Sequence, residues 1–417
     1  MANPVNPPRG MRDFLPAEKA RRERVLAVIR EQYRAHGFDE IETPVMEDSS
    51  RLHAGLGGDN EKLAFAVMKR GLTNDDLTAA TDPLELADLG LRFDLTVPLT
   101  RFYASHQAEL PAVFRAIQIA PVWRAERPQK GRYRQFMQCD IDIIGEAGPL
   151  AELELLTATA ATLRALGLTG WSIRINDRRI LVAMLDHFGI ARENHERAMI
   201  TIDKEDKIGV DGVVAELREH GITDSPVVGP TLQAAATLAD DGWSLLDEPP
   251  AWLDIDAYRT LRSIRAGVPD ARLVFSPNLV RGMGYYTGAI FEVAHPESSS
   301  SLGGGGRYDG MVGRFLGRDV PATGFSIGFE RIVDLVELPD EAAGETVALL
   351  YDADVEPATL VALKSKLATV GYRVRLEKRP KNVKSALDAL AASGFSRFAF
   401  VGTDVTSAAE LELRDLG

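Results

Sequence analysis

Residues 123–138 read WRAERPQKGRYRQFMQ, and the interpretation of the whole chain starts from this stretch. Two segments with β-strand character flank a loop around Pro128 and Gly131. The loop carries four basic side chains, namely Arg127, Lys130, Arg132 and Arg134. Arginine forks match phosphate oxygens, and glycine lets a backbone turn tightly, so such a loop can wrap a polyphosphate. An arginine-rich surface hairpin would have the same composition, and the loop alone leaves both interpretations open.

Three segments around this loop alternate apolar and polar residues with a period of two. Their polar faces carry Arg92, Asp94 and Thr96 in 91–98, Gln118, Arg124 and Glu126 in 114–126, and Gln138, Asp140 and Asp142 in 137–143. Such alternation predicts strands of a sheet that is buried on one side. The polar faces could simply meet solvent. However, these three polar faces contain few lysines and many short polar side chains. This composition favours a sheet whose polar face forms the floor of a ligand-binding site.

A second candidate site lies at residues 279–288, which read LVRGMGYYTG. Arg281, Tyr285 and Tyr286 offer a fixed cation and two hydroxyl groups on a glycine-punctuated strand. A regular strand points adjacent side chains to opposite faces, so both tyrosines reach one ligand only if a glycine bends the strand. Taken alone, this segment is equally compatible with a ligand-binding site and with side chains that only pack in the core. The glycines at 303–306 could form another close-approach loop.

The chain contains neither of the common phosphate-binding signatures. We find no GxxxxGK[ST] segment and no strand-linked GxGxxG segment, so a P-loop and a Rossmann turn are both excluded. The single cysteine, Cys139, excludes an internal disulfide and a multi-cysteine metal site. The seven histidines lack close pairing, which argues against a histidine-built metal site.

Composition and length limit the class of protein further. A chain of 417 residues with 45% hydrophobic and 26% charged residues is typical of a globular protein with two or three domains. No apolar run reaches the ~18 residues that a membrane span needs. We therefore expect neither a membrane protein nor a secreted one, and we take the cytoplasm as the compartment.

Periodicity predicts how these segments are organised. Helices are predicted at 16–36, 150–168, 178–222 and 324–336, with Gly37 as the stop of the first. Residues 337–345 are predicted to be a linker, followed by a strand–helix–strand–helix–strand unit over 346–417. We expect a catalytic domain over 1–336 with a mostly helical insertion at about 178–262.

The charge of the chain is unevenly distributed. Its net charge of −13 argues against a general nucleic-acid binder. Residues 364–384, however, hold eight basic side chains and one acid, Glu377. A phosphate backbone would find complementary potential here, and a solvated charged face is the alternative. The candidate contacts to such a backbone are Arg373, Arg375, Lys381 and Lys384.

Taken together, these segments resemble the histidyl-tRNA synthetase family over nearly the whole chain. The arginine-rich segment resembles motif 2 of the family, and two further segments resemble its histidine-specific motifs. Others resemble the class II motifs 1 and 3 and the family's opening residues, and the last unit is similar to its anticodon-binding domain. The matching segments are PRGMRD at 8–13, FDEIETP at 38–44, 124–142, 279–288, GGGRYDG at 304–310 and GFSIGFER at 324–331.

The resemblance implies a fold and an activity. The fold is an α+β class II synthetase core, an antiparallel sheet flanked by helices, with a helical insertion and a C-terminal α/β anticodon-binding domain. The activity is ATP-dependent activation of histidine, followed by transfer to tRNA(His). ATP is a substrate, used with Mg2+, and no tightly bound prosthetic group is expected. The segment around Pro44 and the helix before it resemble the class II dimer interface, so a homodimer is expected.

The resemblance also implies roles for single residues. Arg124 would contact the α-phosphate and the substrate carboxylate, and Arg281 would stabilise charge that develops on the α-phosphate. The other ATP contacts would be Glu126 at the adenine amino group, Phe136 stacked on adenine, and Arg132 and Arg331 at the outer phosphates. The other histidine contacts would be Asp94, Thr96 and Gln138 at the α-amino end, and Asp142, Tyr285 and Tyr286 at the imidazole. A carboxylate and a phenol can address both nitrogens of neutral imidazole.

The chain departs from the family pattern at residue 284, and a second function is compatible with the resemblance. The family usually has Asp where this chain has Gly284, which removes a carboxylate beside Arg281 and leaves its support open. The rival is a regulatory paralogue of the synthetase, a subunit of ATP phosphoribosyltransferase that binds histidine without catalysis. Such paralogues typically lose the motif 2 arginines, the catalytic arginine and the last domain. All of these are present here, which favours the enzyme.

Overall fold

The computed structural model describes residues 5–53, 63–128, 131–238, 240–281, 285–338 and 345–416. The chain divides into two compact units, Met1–Glu337 and Leu338–Gly417. The boundary falls within the predicted linker, of which residues 339–344 lie outside the described part of the chain. Lys130 and Gly284 also lie outside it.

The first unit is a mixture of strands and helices. Its strands are β1 (Asp39–Glu40), β2 (Met46–Asp48), β3 (Phe65–Met68), β4 (Ala87–Leu91), β5 (Phe114–Trp123), β6 (Gln135–Ile144), β7 (Ser172–Asp177), β8 (Leu273–Phe275), β9 (Ala289–His295), β10 (Ser298–Arg307) and β11 (Ala322–Gly328). Its helices are α1 (Pro16–Ala35), α2 (Ser49–Leu52), α3 (Asn74–Ala79), α4 (Thr96–His106), α5 (Leu150–Ala165), α6 (Arg178–His187), α7 (His195–Ile202), α8 (Glu205–Glu219), α9 (Val228–Ala236), α10 (Ile255–Gly267), α11 (Asp309–Leu316) and α12 (Phe329–Leu335).

Within the described residues, eight strands form one large sheet in the order β1-β5-β6-β11-β10-β9-β7-β8. Only the pairs at the two ends, β1 with β5 and β7 with β8, are parallel. A separate three-stranded sheet has the order β2-β4-β3. The predicted antiparallel sheet with flanking helices is therefore confirmed, and helices α6 to α10 follow β7 in the region that was predicted to be a helical insertion.

Helix α1 shows why one face of the large sheet is buried. Pro16 occupies its first turn, and Gly37, at φ +84°, ends it as predicted. Val25 and Ile29 are fully buried, a gain of roughly 1.5–3 kcal/mol each. The Tyr33 hydroxyl donates to the carbonyl of Cys139 on β6 at 3.3 Å. The apolar side of the sheet thus faces α1 and α5, and its polar side stays available for a ligand.

The predicted strand at residues 91–98 is wrong. Strand β4 ends at Leu91, and α4 begins at Thr96. The Asp94 carboxylate accepts a hydrogen bond from the Val97 backbone N–H at 3.2 Å, so Asp94 lies in the turn that starts the helix. Phe93, Leu95 and Val97 are buried as the alternation predicted, but they lie in a turn and the first turn of a helix rather than along a strand.

Two predictions around glycines are also wrong. Residues 324–328 belong to strand β11 rather than to a helix, and α12 begins only at Phe329. Here Phe325 and Ile327 are buried at a period of two, while the backbone pairs with β6 and β10. The glycines at 303–306 lie on strand β10 rather than in a loop. Glycine suits these strands because side chains and backbone approach them closely.

The second unit has the predicted strand–helix alternation. Its elements are β12 (Thr346–Tyr351), α13 (Pro357–Thr369), β13 (Arg373–Lys378), α14 (Val383–Ala392), β14 (Arg397–Val401) and β15 (Arg414–Asp415). The sheet order is β13-β12-β14-β15, and β12 is parallel to both of its neighbours. Val347 and Leu349 pack into one core and Ala348 and Leu350 into another, as expected for a central parallel strand that is buried on both faces.

Candidate active site

A cavity of about 520 Å³ lies at the polar face of the large sheet. Its wall contains every residue that the sequence predicted to bind histidine or ATP. These residues are Asp94, Thr96, Arg124, Glu126, Arg132, Phe136, Gln138, Asp142, Arg281, Tyr285, Tyr286 and Arg331. They come from distant parts of the chain, so the fold brings them together. Their individual roles remain predictions.

The floor of the cavity is formed by β6 and β11. Asp142 is opposite Gly324 in the register of this strand pair. A Cβ at Gly324 would stand 1.9 Å from the Asp142 Oδ1 atom, so only glycine leaves room for this carboxylate. The Tyr308 hydroxyl donates to the same oxygen at 2.5 Å. This contact fixes the carboxylate and leaves Oδ2 for a ligand.

Burial controls the protonation of the floor. Desolvation raises the pKa of Asp142 to about 7, although the Tyr308 hydroxyl opposes the shift. Desolvation also raises the pKa of Asp94 to about 6, against the Val97 N–H and the charge of Arg124. The pKa of Asp140 lies well above its ordinary value because of burial and the nearby Asp142 carboxylate. A ligand that brings a positive charge or N–H donors would compensate these buried carboxyl groups.

Gln138 lies on β6, in the same strand as Asp140 and Asp142. Its amide nitrogen donates to Asp140 at 3.2 Å and to the Ser326 hydroxyl at 3.3 Å. Its Oε1 atom is buried and has no hydrogen-bond partner within the described part of the chain. A buried amide oxygen of this kind is available to accept a hydrogen bond from a substrate ammonium group.

The two adjacent tyrosines both reach the cavity. Their ring centroids are 4.4 Å apart with an interplanar angle of 55°. They precede β9, which begins at Ala289, so they do not lie on the regular strand that sequence suggested. Burial raises the pKa of the Tyr286 phenol well above its ordinary value and that of Tyr285 less strongly. Both phenols therefore remain protonated donors at neutral pH.

Arginines also line the cavity. Arg124 donates from Nε to the Phe93 carbonyl at 3.0 Å, and its guanidinium carbon lies 5.0 Å from the centroid of the Phe136 ring. Arg331 donates to the Ser301 carbonyl at 2.5 Å. Burial, followed by the charges of Arg132 and Arg281, lowers the pKa of Arg331. Converging guanidinium groups of this kind create a site for a multiply charged anion.

Arg281 is held by residues that the sequence did not indicate. Its Nη1 atom donates to Glu292 on β9 at 2.5 Å and to the Ser301 hydroxyl at 3.3 Å. Arg174 approaches the other Glu292 oxygen at 3.6 Å. A Cβ at Gly304 would stand 2.3 Å from the Arg281 guanidinium carbon. Glu292 thus supplies a carboxylate to Arg281 in a chain that has Gly284 where the family usually has Asp.

Other basic residues of the two motifs have a structural role. Arg307 forms a two-point contact with Glu152 on α5, at 2.6 and 2.8 Å, outside the cavity. Arg134 donates to the Glu126 carbonyl at 2.9 Å and so braces the motif 2 loop. Tyr308, adjacent to Arg307, is a further contact that sequence reasoning missed. Its position in the GGGRYDG segment, which resembles a histidine-specific motif, was the sequence feature that could have identified it.

Metal and membrane features can be assessed only over the described residues. Within them, no group of three or more His, Cys, Asp or Glu side chains is arranged to hold a metal ion. In the same residues, no helix is long and apolar enough to cross a membrane.

The architecture and the site together define a class II aminoacyl-tRNA synthetase core. A largely antiparallel sheet carries one cavity that is lined by both arginines and buried carboxyl groups. The family model described as histidyl-tRNA synthetase matches residues 10–332. The chain therefore belongs to the histidyl-tRNA synthetase family.

Individual relatives agree with this assignment. The chain is 62% identical to a histidine–tRNA ligase of Leifsonia xyli subsp. xyli, over 100% of this chain and 99% of the relative. It is 42% identical to a probable histidine–tRNA ligase of Tropheryma whipplei, over 95% and 96% of the two chains. A crystal structure of histidyl-tRNA synthetase from Nostoc sp. PCC 7120 matches with a TM-score of 0.77 at 26% identity, over 100% of this chain and 95% of that one.

The fold is also shared with a structure from Bacillus halodurans that is described as an ATP phosphoribosyltransferase regulatory subunit/histidyl-tRNA synthetase. The TM-score is 0.75 at 20% identity, over 97% of this chain and 100% of that one. At this identity the likeness concerns the fold alone, and both the enzyme and the regulatory paralogue can have it.

Proposed function

We propose that this chain is a histidine–tRNA ligase that activates L-histidine with ATP and transfers it to tRNA(His). The observation that carries the proposal is the mixed charge of the cavity wall. Arg124, Arg281 and Arg331 line it together with Asp94 and Asp142. The arginines suit a triphosphate, and the buried carboxyl groups suit an amino acid that carries an ammonium and an imidazole. The relative at 62% identity supports the same activity.

Activation requires attack of the histidine carboxylate on the α-phosphorus of ATP, with pyrophosphate as the leaving group. We propose that Arg124 holds the carboxylate and the α-phosphate side by side. Arg281 would stabilise the negative charge that grows on the α-phosphate during attack. A guanidinium fixed in advance by Glu292 and Ser301 is suited to this, because it needs little reorganisation when the charge develops.

Recognition of the imidazole would use groups fixed on the cavity floor. The ionised Asp142 carboxylate would accept the imidazole N–H, and the Tyr286 hydroxyl would donate to the other nitrogen. Tyr285 would line the same pocket. Asp94, Thr96 and the Gln138 Oε1 atom, which has no partner among the described residues, would receive the α-ammonium group. A buried site built to pair both imidazole nitrogens penalises side chains that leave one of its groups unpaired.

ATP would lie across the motif 2 loop. We propose that Phe136 stacks on the adenine, that Glu126 accepts from its amino group, and that Arg132 and Arg331 hold the outer phosphates. We also propose that ATP arrives as its Mg2+ complex, so that the metal is part of the substrate. Mg2+ usually keeps several waters and binds through substrate phosphates, so it needs few protein ligands.

Transfer requires that a ribose hydroxyl at the 3′ end of tRNA(His) attacks the carbonyl carbon of the adenylate, with AMP as the leaving group. We propose that the second unit binds the anticodon region. Arg373 and Arg375 are held over the ring of Phe395, with guanidinium carbons 5.3 and 4.6 Å from its centroid. These stacked arginines, together with Lys381 and Lys384, would meet the RNA backbone.

We further propose a cytoplasmic homodimer. The motif 1 segment ends at Pro44, and the two residues that follow it, Val45 and Met46, are exposed apolar side chains. Apolar residues that are exposed together favour an interface between copies. Static light scattering should give about 91 kDa, twice the 45.5 kDa of one chain. A stable monomer at micromolar concentration would contradict this.

The regulatory paralogue remains the alternative, and a direct assay separates the two. Histidine-dependent ATP–pyrophosphate exchange should be present without tRNA, and charging of tRNA(His) should follow when tRNA is added. A regulatory subunit would bind histidine but would catalyse neither reaction. Exchange that glutamine or asparagine supports as well as histidine would contradict the assigned substrate.

A further inference from the structure

The N-terminal segment at residues 9–14, here called the N-terminal strap, contacts the motif 2 loop. The Gly10 carbonyl accepts a hydrogen bond from the Arg134 backbone N–H at 2.7 Å. Gly10 has φ +84°, and a Cβ at this position would stand 3.0 Å from Arg134 Cγ and from Pro128 Cβ. The strap therefore lies directly on the loop that is proposed to cover ATP, more than a hundred residues away in sequence.

Arg12 extends this contact from the loop to helix α12. Its guanidinium carbon lies 3.6 Å from the centroid of the Tyr133 ring, close enough for a cation–π contact. Its Nη2 atom donates to the Glu330 carboxylate. Tyr133 belongs to the motif 2 loop and Glu330 to helix α12, and both line the cavity. One side chain of the strap thus contacts both the motif 2 loop and helix α12.

Glu330 is anchored independently of Arg12. Arg22 of α1 donates to both of its carboxylate oxygens, each at 2.7 Å. The Met137 backbone N–H also donates to it at 3.1 Å. Glu330 directly precedes Arg331, the residue proposed to hold the outer phosphates. Arg22 keeps this end of α12 in place, and Arg12 adds the connection from there to the loop.

We infer that Arg12 is a positioning residue for ATP, which holds the Tyr133 side of the motif 2 loop at a fixed distance from Arg331. It does not touch the substrate. A phosphate chain that is gripped from two walls binds tightly only when the spacing of the walls is fixed in advance. The histidine pocket depends on β6, β11 and the tyrosine pair, to which residues 9–14 make no hydrogen bond, ion pair or cation–π contact among the described residues. This inference rests on the proposed function.

The test is Arg12→Ala in the full chain, measured by histidine-dependent ATP–pyrophosphate exchange. We expect the KM for ATP to rise by about tenfold, since small displacements of positioned groups have effects of this order. The KM for histidine should stay within about twofold of the parent value, because its pocket is unchanged. Arg12→Lys keeps the charge opposite Glu330 but loses the planar stacking on Tyr133, so its KM for ATP should be intermediate. This second variant carries the test if Arg12→Ala does not fold.

The matched control is Arg21→Ala. Arg21 also joins the N-terminal region to α12, but it donates to the Val336 carbonyl at the far end of that helix, at 2.9 Å. Its loss should lower the melting temperature without changing the KM for ATP. The inference is overturned if the Arg12 variants keep the parent KM for ATP. It is also overturned if the KM values for histidine and ATP rise together, or if Arg21→Ala gives the same rise. An unaltered chain without exchange activity would instead contradict the proposed function.

Discussion

Asp142 is the residue on which histidine recognition depends most. Its carboxylate is buried, receives the Tyr308 hydroxyl and has room only because residue 324 is glycine. Asp142→Asn keeps the size but loses the negative charge that fixes the imidazole proton. We expect kcat/KM for histidine to fall by a factor that corresponds to about 1.5–3 kcal/mol of transition-state stabilisation. This is the usual range for a hydrogen bond to a charged group. Pyrophosphate exchange with histidine and glutamine measures this. Unchanged discrimination between them would exclude Asp142 as the imidazole contact.

The same carboxylate predicts a pH dependence. Its pKa of about 7 is raised in the folded protein, so below this pH the group is increasingly protonated and accepts the imidazole N–H poorly. The kcat/KM for histidine should therefore fall as pH drops through 7. In Asp142→Asn the decrease in kcat/KM near pH 7 should disappear. Only the decrease at lower pH should remain, which comes from Asp94, with a pKa of about 6, and from protonation of the histidine substrate. An identical profile in the variant would contradict this prediction.

Stability should change with pH in the opposite direction. An Asp142 carboxyl with a raised pKa binds its proton more tightly in the folded state than in the unfolded state. Its contribution to the free energy of unfolding therefore decreases as pH rises from about 4 to 7. We therefore compare the free energies of unfolding of Asp142→Asn and of the parent, both without ligand. The value for the variant minus that for the parent should be more positive at pH 8 than at pH 5. Thermal unfolding at both pH values measures the difference.

Arg281 has a different expected effect, on rate rather than on binding. If it stabilises charge only in the transition state, Arg281→Ala should slow adenylate formation by roughly 10²–10³-fold. Histidine affinity, measured by equilibrium binding, should change far less. Glu292→Gln weakens the support of the arginine but leaves the cation in place, so it should give a smaller loss of rate. Equal losses of binding and rate in Arg281→Ala would make the residue a ground-state anchor.

Sequence reasoning found the residues on the cavity floor but not those that hold them. Gln138 and Asp142 were predictable because apolar and polar residues alternate along β6. Tyr308 and Glu292 were not, because their contacts depend on how β9, β10 and β11 lie side by side. A pattern within one segment cannot specify which other segment it meets.

At the scale of elements, long strands and helices were predictable, and short connecting segments were not. Helix α1 matches its predicted bounds to within one residue, because its caps and apolar spacing agree. The failures at 91–98 and 324–328 are opposite errors. At 91–98 apolar and polar residues alternate as in a strand, but the Asp94 cap and Pro98 favour a helix start. At 324–328 the glycine spacing suggests a helix, although the backbone is paired on both sides.

Strand β10 offers a test at this scale, because its glycines have different neighbours. A Cβ at Gly304 would stand 2.3 Å from the Arg281 guanidinium carbon, whereas a Cβ at Gly305 would stand 2.0 Å from the Gly324 carbonyl. A side chain can move, but a paired backbone cannot do so without loss of the sheet. Gly304→Ala should therefore reduce activation by about tenfold or more with little loss of stability. Gly305→Ala should cost about 1–3 kcal/mol of unfolding free energy, the usual penalty of overpacking.

Rates of pyrophosphate exchange and denaturant unfolding of both variants measure the two effects. Each variant serves as the control of the other, since they make the same change one residue apart. A Gly304→Ala protein that is active and unstable would contradict the assigned neighbours. So would a Gly305→Ala protein that is stable and inactive.

At the scale of the whole molecule, the division into two units predicts that the two reaction steps can be separated. The second unit has its own cores on both sides of β12, and the cavity is lined by residues of the first unit. A chain that ends at residue 337 should still form the adenylate in a histidine-dependent manner. If the second unit holds the anticodon region, the tRNA concentration needed for charging should rise sharply. Normal tRNA affinity in the shortened chain would exclude this assignment.

Point variants in the full chain test the RNA-binding face directly. Lys381 lies just before the Asn382 cap of α14, and its positive charge should contribute to binding through counterion release. Lys381→Ala should weaken tRNA binding and reduce the dependence of log affinity on log salt by about one unit or less. Its defect should therefore shrink as salt increases. Arg397→Ala is the matched control, because Arg397 is in the same unit but is already paired with Asp415 and Glu345, each at 3.3 Å. If both variants lose the same affinity at every salt concentration, the face that contains Lys381 is not where the RNA backbone binds.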